Sequence, residues 1–224
     1  MTRIGILLSG RGSNFLAIAD SIDRAGMAPA AASPLRGAQI PIVISNRADA
    51  PGIAAARARG LSAAVIEARG RKRVEHDAEI VSCLQEHGVG LVCLAGYMRL
   101  LSPLFIAAFR HRILNIHPSL LPAFPGLDAQ RQALEYGVRM TGCTVHFVDE
   151  ELDHGAIVLQ RTVPVLDEDD EASLSARILE QEHLAYPEAL ARVLSGRYRI
   201  VDRRYVLQTS ALDRAPQEAR ECNS

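Results

Sequence analysis

Arg3-Ile-Gly-Ile-Leu-Leu-Ser-Gly-Arg-Gly-Ser-Asn14 opens the chain with a short apolar run that ends in a glycine loop. Residues 3–8 read as a strand, because a run of this length, rich in Ile and Leu and closed by Gly, suits a strand buried on both faces. Apolar residues at helical spacing follow over Ser13–Arg24, so the segment is strand, tight loop, helix. The same alternation recurs downstream. Residues 41–45, 63–66, 90–95 and 111–116 read as strands, separated by helical patterns over Pro51–Arg59, Lys72–His87 and Pro103–Arg110. In the second of these helices Val74, Ile80, Val81 and Leu84 are expected on the inward side. Strands alternating with helices imply an α/β fold, a Rossmann-like, mostly parallel sheet with helices on both faces.

Beyond Pro118 the rhythm changes. Leu127–Tyr136 reads as a helix, and Cys143–Val148 and Ala156–Val165 as strands joined by an acidic loop, which adds antiparallel strands to the C-terminal part. Glu171–Leu194 is a long helix, and Arg197–Leu207 a final strand or hairpin. Ala/Pro-rich residues 28–39 suggest an extended surface loop. Neither an internal repeat nor a clear linker is present, so one domain over 1–208 is expected, with a mobile tail over 209–224.

Bulk properties bound the function. The 224 residues are 48% hydrophobic and 23% charged, with a formal net charge of -1. That balance argues against a broad basic surface for nucleic acid. A small anionic substrate remains compatible, since it needs only a few donors. Neither a secretory signal nor an apolar run of membrane-spanning length is read, so no membrane partner and a cytoplasmic location are expected. Cys83, Cys93, Cys143 and Cys222 show no metal-binding spacing, and no metal is expected; the first three read as reduced residues among apolar neighbours.

Three segments are candidates for chemistry. Ser9-Gly-Arg-Gly-Ser-Asn14 joins a strand to a helix, where glycines permit a tight turn and free N–H groups suit a phosphate. Phe15 stands where a dinucleotide fingerprint needs its third Gly, and no Gly-Lys-Ser/Thr is present. An ordinary turn with Ser13 or Asn14 capping the helix explains the segment equally well. In Asn115-Ile-His-Pro118, Asn115 and His117 project to one face of a strand, and Pro118 ends it. An imidazole beside an amide donor suits acyl transfer, although a lone His near a turn is commonly structural. Asp149-Glu-Glu-Leu-Asp-His-Gly155 reads as a solvated turn, or as the source of a carboxylate, Asp153, that orients an imidazole.

Taken in order, Ser9–Asn14, Gly96-Tyr-Met-Arg-Leu-Leu101, Asn115-Ile-His-Pro-Ser-Leu-Leu-Pro122, Glu151-Leu-Asp153 and Gln181-Glu-His183 make a pattern. It resembles the phosphoribosylglycinamide formyltransferase family, within the formyltetrahydrofolate-dependent superfamily, over about residues 3–195. The resemblance implies transfer of a formyl group from 10-formyltetrahydrofolate to the amine of glycinamide ribonucleotide, in purine biosynthesis, through a tetrahedral intermediate. It implies a catalytic trio of Asn115, His117 and Asp153. Gly12, Ser13 and Asn14 would hold the substrate phosphate, and Glu182 the ribose hydroxyls. Met98, Arg99, Leu101 and Asn115 would line the pterin pocket, with Arg73 helping to hold the folate and the Asp149–Gly155 loop closing over it. In these roles Asn115 donates to the oxyanion, and Asp153 favours a charged His117. A homodimer is compatible with this reading.

Two positions depart from the pattern: Asp128 stands where many relatives carry His, and His154 where Gly is expected. The 28–39 loop is longer than is typical. Among rivals, a methionyl-tRNA formyltransferase would be expected to carry a further C-terminal domain, and a deformylase an N-terminal regulatory one. A non-catalytic binding module would be favoured by loss of a trio residue, and all three are present.

Overall fold

The computed structural model describes residues 2–27 and 33–208. The expected mobile tail, and residues 28–32 of the expected surface loop, lie outside the described residues. Five strands come first in the chain: β1 (Arg3–Leu8), β2 (Gln39–Ser45), β3 (Ala63–Val65), β4 (Leu91–Leu94) and β5 (Ile113–His117). Between them run α1 (Ser13–Met27), α2 (Pro51–Ala58), α3 (Arg73–Glu86) and α4 (Pro103–Ala108). These strands pair in parallel in the order β3-β2-β1-β4-β5. After β5 come α5 (Ala129–Tyr136), β6 (Met140–Phe147), β7 (Ile157–Pro164) and α6 (Glu171–Leu194), then the hairpin β8 (Tyr198–Val201) and β9 (Arg204–Leu207). β6 joins β5 antiparallel and β7 joins β6 antiparallel, while β9 meets β7 through the Ile157–Arg204 pair.

Alternation along β1 shows why helices cover both faces. Ile4, Ile6 and Leu8 enter a core built with α1, α2 and α6, whereas Leu7 enters a second core with α3 and α4. Both faces are thus dry, which the uninterrupted apolar run anticipates. On α6, Tyr186 is fully buried, and its hydroxyl lies between the carbonyls of Leu94 (3.1 Å) and Leu114 (2.9 Å), which it reaches as donor. The helix is thereby locked to the end of β4 and to β5, next to Asn115.

Several expected boundaries move for a physical reason. His111 adopts a left-handed φ of 56°, so β5 starts at Ile113 and not at 111. Gly126 and Asp128 are also left-handed, at φ 83° and 56°, which delays α5 to Ala129. The 197–207 segment is a hairpin turned at Asp202, φ 54°. Val74 is a correction: it is 50% exposed, and the inward face of α3 carries His76, Asp77, Ile80, Val81 and Leu84. A polar pair in this core face breaks the apolar periodicity on which the expectation rested.

Candidate active site

The chain leaves β1 towards β2 and β3, then crosses back to β4 on the opposite side of β1. Loops at the carboxyl ends of β1 and β4 therefore diverge over a crevice, the place where open α/β sheets bind ligands. Ser9 ties its walls together. Its N–H donates to Gly96 O (3.0 Å), its hydroxyl donates to Asn46 Oδ1 (2.6 Å), and Met98 N–H donates to that hydroxyl (2.9 Å).

Gly12 takes φ 75°, and a Cβ there would sit 3.0 Å from Gly52 Cα. The loop therefore needs glycine on two counts. Its carbonyl accepts from Leu16 N–H (2.9 Å) and starts α1, whose first N–H groups have no intrahelical partner. Asn14 is buried in the first turn, and its Nδ2 donates to Glu182 Oε2 (2.7 Å), 168 residues away. Asn14 is therefore a bridge to α6 as well as part of the loop. Glu182 is only 8% exposed. Burial pushes its carboxyl above the usual range, while the Asn14 amide opposes the rise.

At the far wall, Asn115 and His117 lie on the face of β5 opposite Leu114 and Ile116, as period two requires. His117 Nε2 lies 2.8 Å from Phe124 O, and Nδ1 lies 3.4 Å from Asp153 Oδ2. Both ring nitrogens face oxygen acceptors, an arrangement that two N–H donors satisfy. Asp153 holds a left-handed φ of 50°, and its Oδ2 accepts from Gly126 N–H (2.8 Å).

Sequence reasoning missed His146. The antiparallel register of β5 and β6 sets it directly opposite Asn115, and the Asn115 Nδ2 to His146 Nε2 distance is 3.2 Å. Its Nδ1 lies 2.8 Å from Phe147 O and so donates. That leaves Nε2 to accept from the Asn115 amide. Asp153 Oδ1 is 3.7 Å from the same Nε2. Burial lowers the pKa of His146, opposed by its bond to Phe147 O and by Asp153.

Residues 2–190 match the formyl transferase family. The chain belongs to that family. It is 41% identical to the phosphoribosylglycinamide formyltransferase of Haemophilus influenzae, over 96% of this chain and 98% of that one. It is also 47% identical to the human trifunctional purine biosynthetic protein adenosine-3 over 87% of its own length, but spans only 18% of that protein. Its backbone is similar to crystalline glycinamide ribonucleotide transformylase 1 from Symbiobacterium toebii, with TM-score 0.85, 50% identity, and 92% and 94% of the two chains covered. The expected α/β formyltransferase fold is thereby shown.

In this formyl transferase fold the remaining expected residues fall at the same edge of the sheet. Met98, 70% exposed, and Arg99 and Leu101 sit on the loop between β4 and α4. Arg73 is exposed at the first position of α3, just after the β3 crossover. All four follow the carboxyl ends of β3 or β4, the edge of the sheet at which His117 ends β5. Asp128, just before α5, pairs with Arg131 in that helix's first turn. His154 pairs with Asp149, Nδ1 to Oδ2 3.0 Å.

Proposed function

We propose that the chain transfers the formyl group of 10-formyltetrahydrofolate to the amine of glycinamide ribonucleotide, a step of purine synthesis in the cytoplasm. The observation that carries this reading is the convergence of Asn115, His117 and Asp153 at the carboxyl end of β5, across the crevice from the Asn14–Glu182 pair. Names of the relatives and a chain nearly coextensive with the bacterial enzyme support it.

The substrate phosphate sits on the N–H groups of Gly12, Ser13 and Asn14 at the start of α1, where the helix dipole also favours an anion. Glu182 accepts from the ribose hydroxyls. The pterin rests against Met98, Arg99 and Leu101, with Arg73 paired to the acidic end of the folate. Met98 and Leu100 on the β4–α4 loop, and Leu152 on the acidic loop, are exposed. Their apolar surface is what a flat aromatic guest would cover.

In the reaction the substrate amine attacks the formyl carbon, forming the new C–N bond and a tetrahedral oxyanion. Asn115 has one N–H engaged by His146, and the other donates to that oxyanion. Charged His117, backed by Asp153, adds its field. Collapse breaks the bond to the folate nitrogen, which takes the proton released by the amine, with the Asp153 carboxylate as the base that passes it on. No covalent bond to the protein forms.

Purified protein is expected to consume 10-formyltetrahydrofolate only when glycinamide ribonucleotide is supplied, with formylated product appearing in equal amount. Hydrolysis without acceptor, or transfer to methionyl-tRNA instead, would refute the assignment.

Glu182 gives a second test. Glu182→Gln is expected to raise KM for glycinamide ribonucleotide by about 10- to 100-fold, the range for losing a charged hydrogen bond. The ionised carboxylate is the form that accepts best, and burial raises its pKa. Binding should therefore weaken as pH falls, beginning at a higher pH than for an exposed Glu, and this acid limb of 1/KM should be missing in the Gln variant. An unchanged limb would assign the titration elsewhere.

A further inference from the structure

We propose that Arg203, in the β8–β9 turn, is a positioning residue that holds the Asp153 loop in its working geometry. This inference rests on the role given to Asp153 above and extends it to a part of the chain outside every recognised motif. Arg203 donates twice to the carbonyl of His154, from Nε (3.1 Å) and from Nη2 (2.6 Å). His154 follows Asp153 directly, so the guanidinium grips the residue next to the carboxylate.

The hairpin is firmly based. Tyr198 and Tyr205 stack on one another at 4.7 Å between centroids, and Tyr198 stacks on Phe147 at 5.9 Å. Phe147 ends β6, the strand from which the acidic loop departs, and β9 pairs with β7, the strand to which that loop returns. One element thus touches both strands that flank the loop and reaches the loop itself, at His154, with Arg203. The loop is also tied to itself, His154 Nδ1 lying 3.0 Å from Asp149 Oδ2 and Nε2 3.7 Å from Glu151 Oε2. Gly155 folds flush against β6, where a Cβ would run into the Phe147 carbonyl.

Such restraint has something to oppose. Asp153 is a non-glycine residue with positive φ, a conformation that persists only where surroundings over-determine it. Its carboxylate is anchored at Gly126 and His117, and the backbone beside it is anchored by Arg203. Without the second anchor the backbone can relax, and a displacement of about 1 Å in a reacting group can cost up to about 100-fold in rate.

The test compares wild type, Arg203→Ala, Arg203→Lys, Asp153→Asn and the Ala/Asn double variant in the formyl-transfer assay. Arg203→Ala should lower kcat by about 5- to 20-fold with both KM values within about twofold, since the displaced group acts in the transition state. Arg203→Lys, which keeps a charged donor, should recover most of the loss. In the Asp153→Asn background the same Ala substitution should change kcat by less than about twofold, the non-additivity expected of residues that act through one another. A kcat of Arg203→Ala within about twofold of wild type, or an equal loss in both backgrounds, would overturn the proposal. A harmless Asp153→Asn would instead overturn the role of Asp153 on which it rests.

Discussion

Asp153→Asn is expected to lower kcat by about 10²- to 10⁴-fold at neutral pH, and His117→Ala by a similar factor. Asn at 153 is nearly isosteric and can still accept from Gly126 N–H, so the loop keeps that anchor. What it lacks is charge opposite His117 Nδ1, and with its oxygen kept at Gly126 its amide nitrogen takes the place of Oδ1, 3.7 Å from His146 Nε2. Neither substitution opens a large apolar cavity, so melting temperatures should stay within about 5 °C of wild type. KM for glycinamide ribonucleotide should change little, because the phosphate loop and Glu182 lie across the crevice. If the two residues act as one unit, the double variant will be hardly slower than the worse single. Turnover within about threefold of wild type in both single variants would strip the pair of its proposed role.

The fold was legible in the chain because its first half keeps to one rhythm. β1, β2, β4 and β5 are buried on both faces and read as apolar runs, and the glycine loop at Gly10–Gly12 marks where a strand gives way to a helix. Val74 failed because periodicity counts apolar residues and cannot see that His76 and Asp77 take the buried positions. For His76, the bond between Nε2 and Ile66 O (2.8 Å) makes that burial tolerable. Such a partner satisfies one nitrogen of the buried ring but has no local signature in the sequence. The site was legible only in parts. Asn115 and His117 share a strand face by spacing alone, but the approach of Asp153 depends on a loop closing back from beyond β6, and the Asn14–Glu182 bond on α6 crossing back to α1. His146 was invisible for a related reason: its alternation along β6 is plain, yet only the antiparallel register with β5 tells which residue it faces.

That register leads to a further expected result, for Asn115→Ala and His146→Ala together. Removing one oxyanion donor typically costs about 10²- to 10³-fold in kcat, and Asn115→Ala should fall in that range with KM for glycinamide ribonucleotide nearly unchanged. His146 offers no donor to the oxyanion in this scheme; its Nδ1–H is spent on Phe147 O and its Nε2 receives Asn115. It fixes the amide's rotation, so that one N–H is held back and the other points into the crevice. His146→Ala should therefore cost less, about tenfold, and should add almost nothing once Asn115 is gone. Protonation would convert Nε2 from acceptor to donor and break the contact. Burial keeps the pKa of His146 below its ordinary value, so the amide stays oriented at neutral pH and is released only on acidification beyond the usual histidine range. In His146→Gln, whose side-chain oxygen can accept but not titrate, this contribution to the acid limb of kcat should disappear while most activity is retained. An additive loss in the Asn115/His146 double variant would mean that His146 acts on the reaction by a route other than the amide of Asn115.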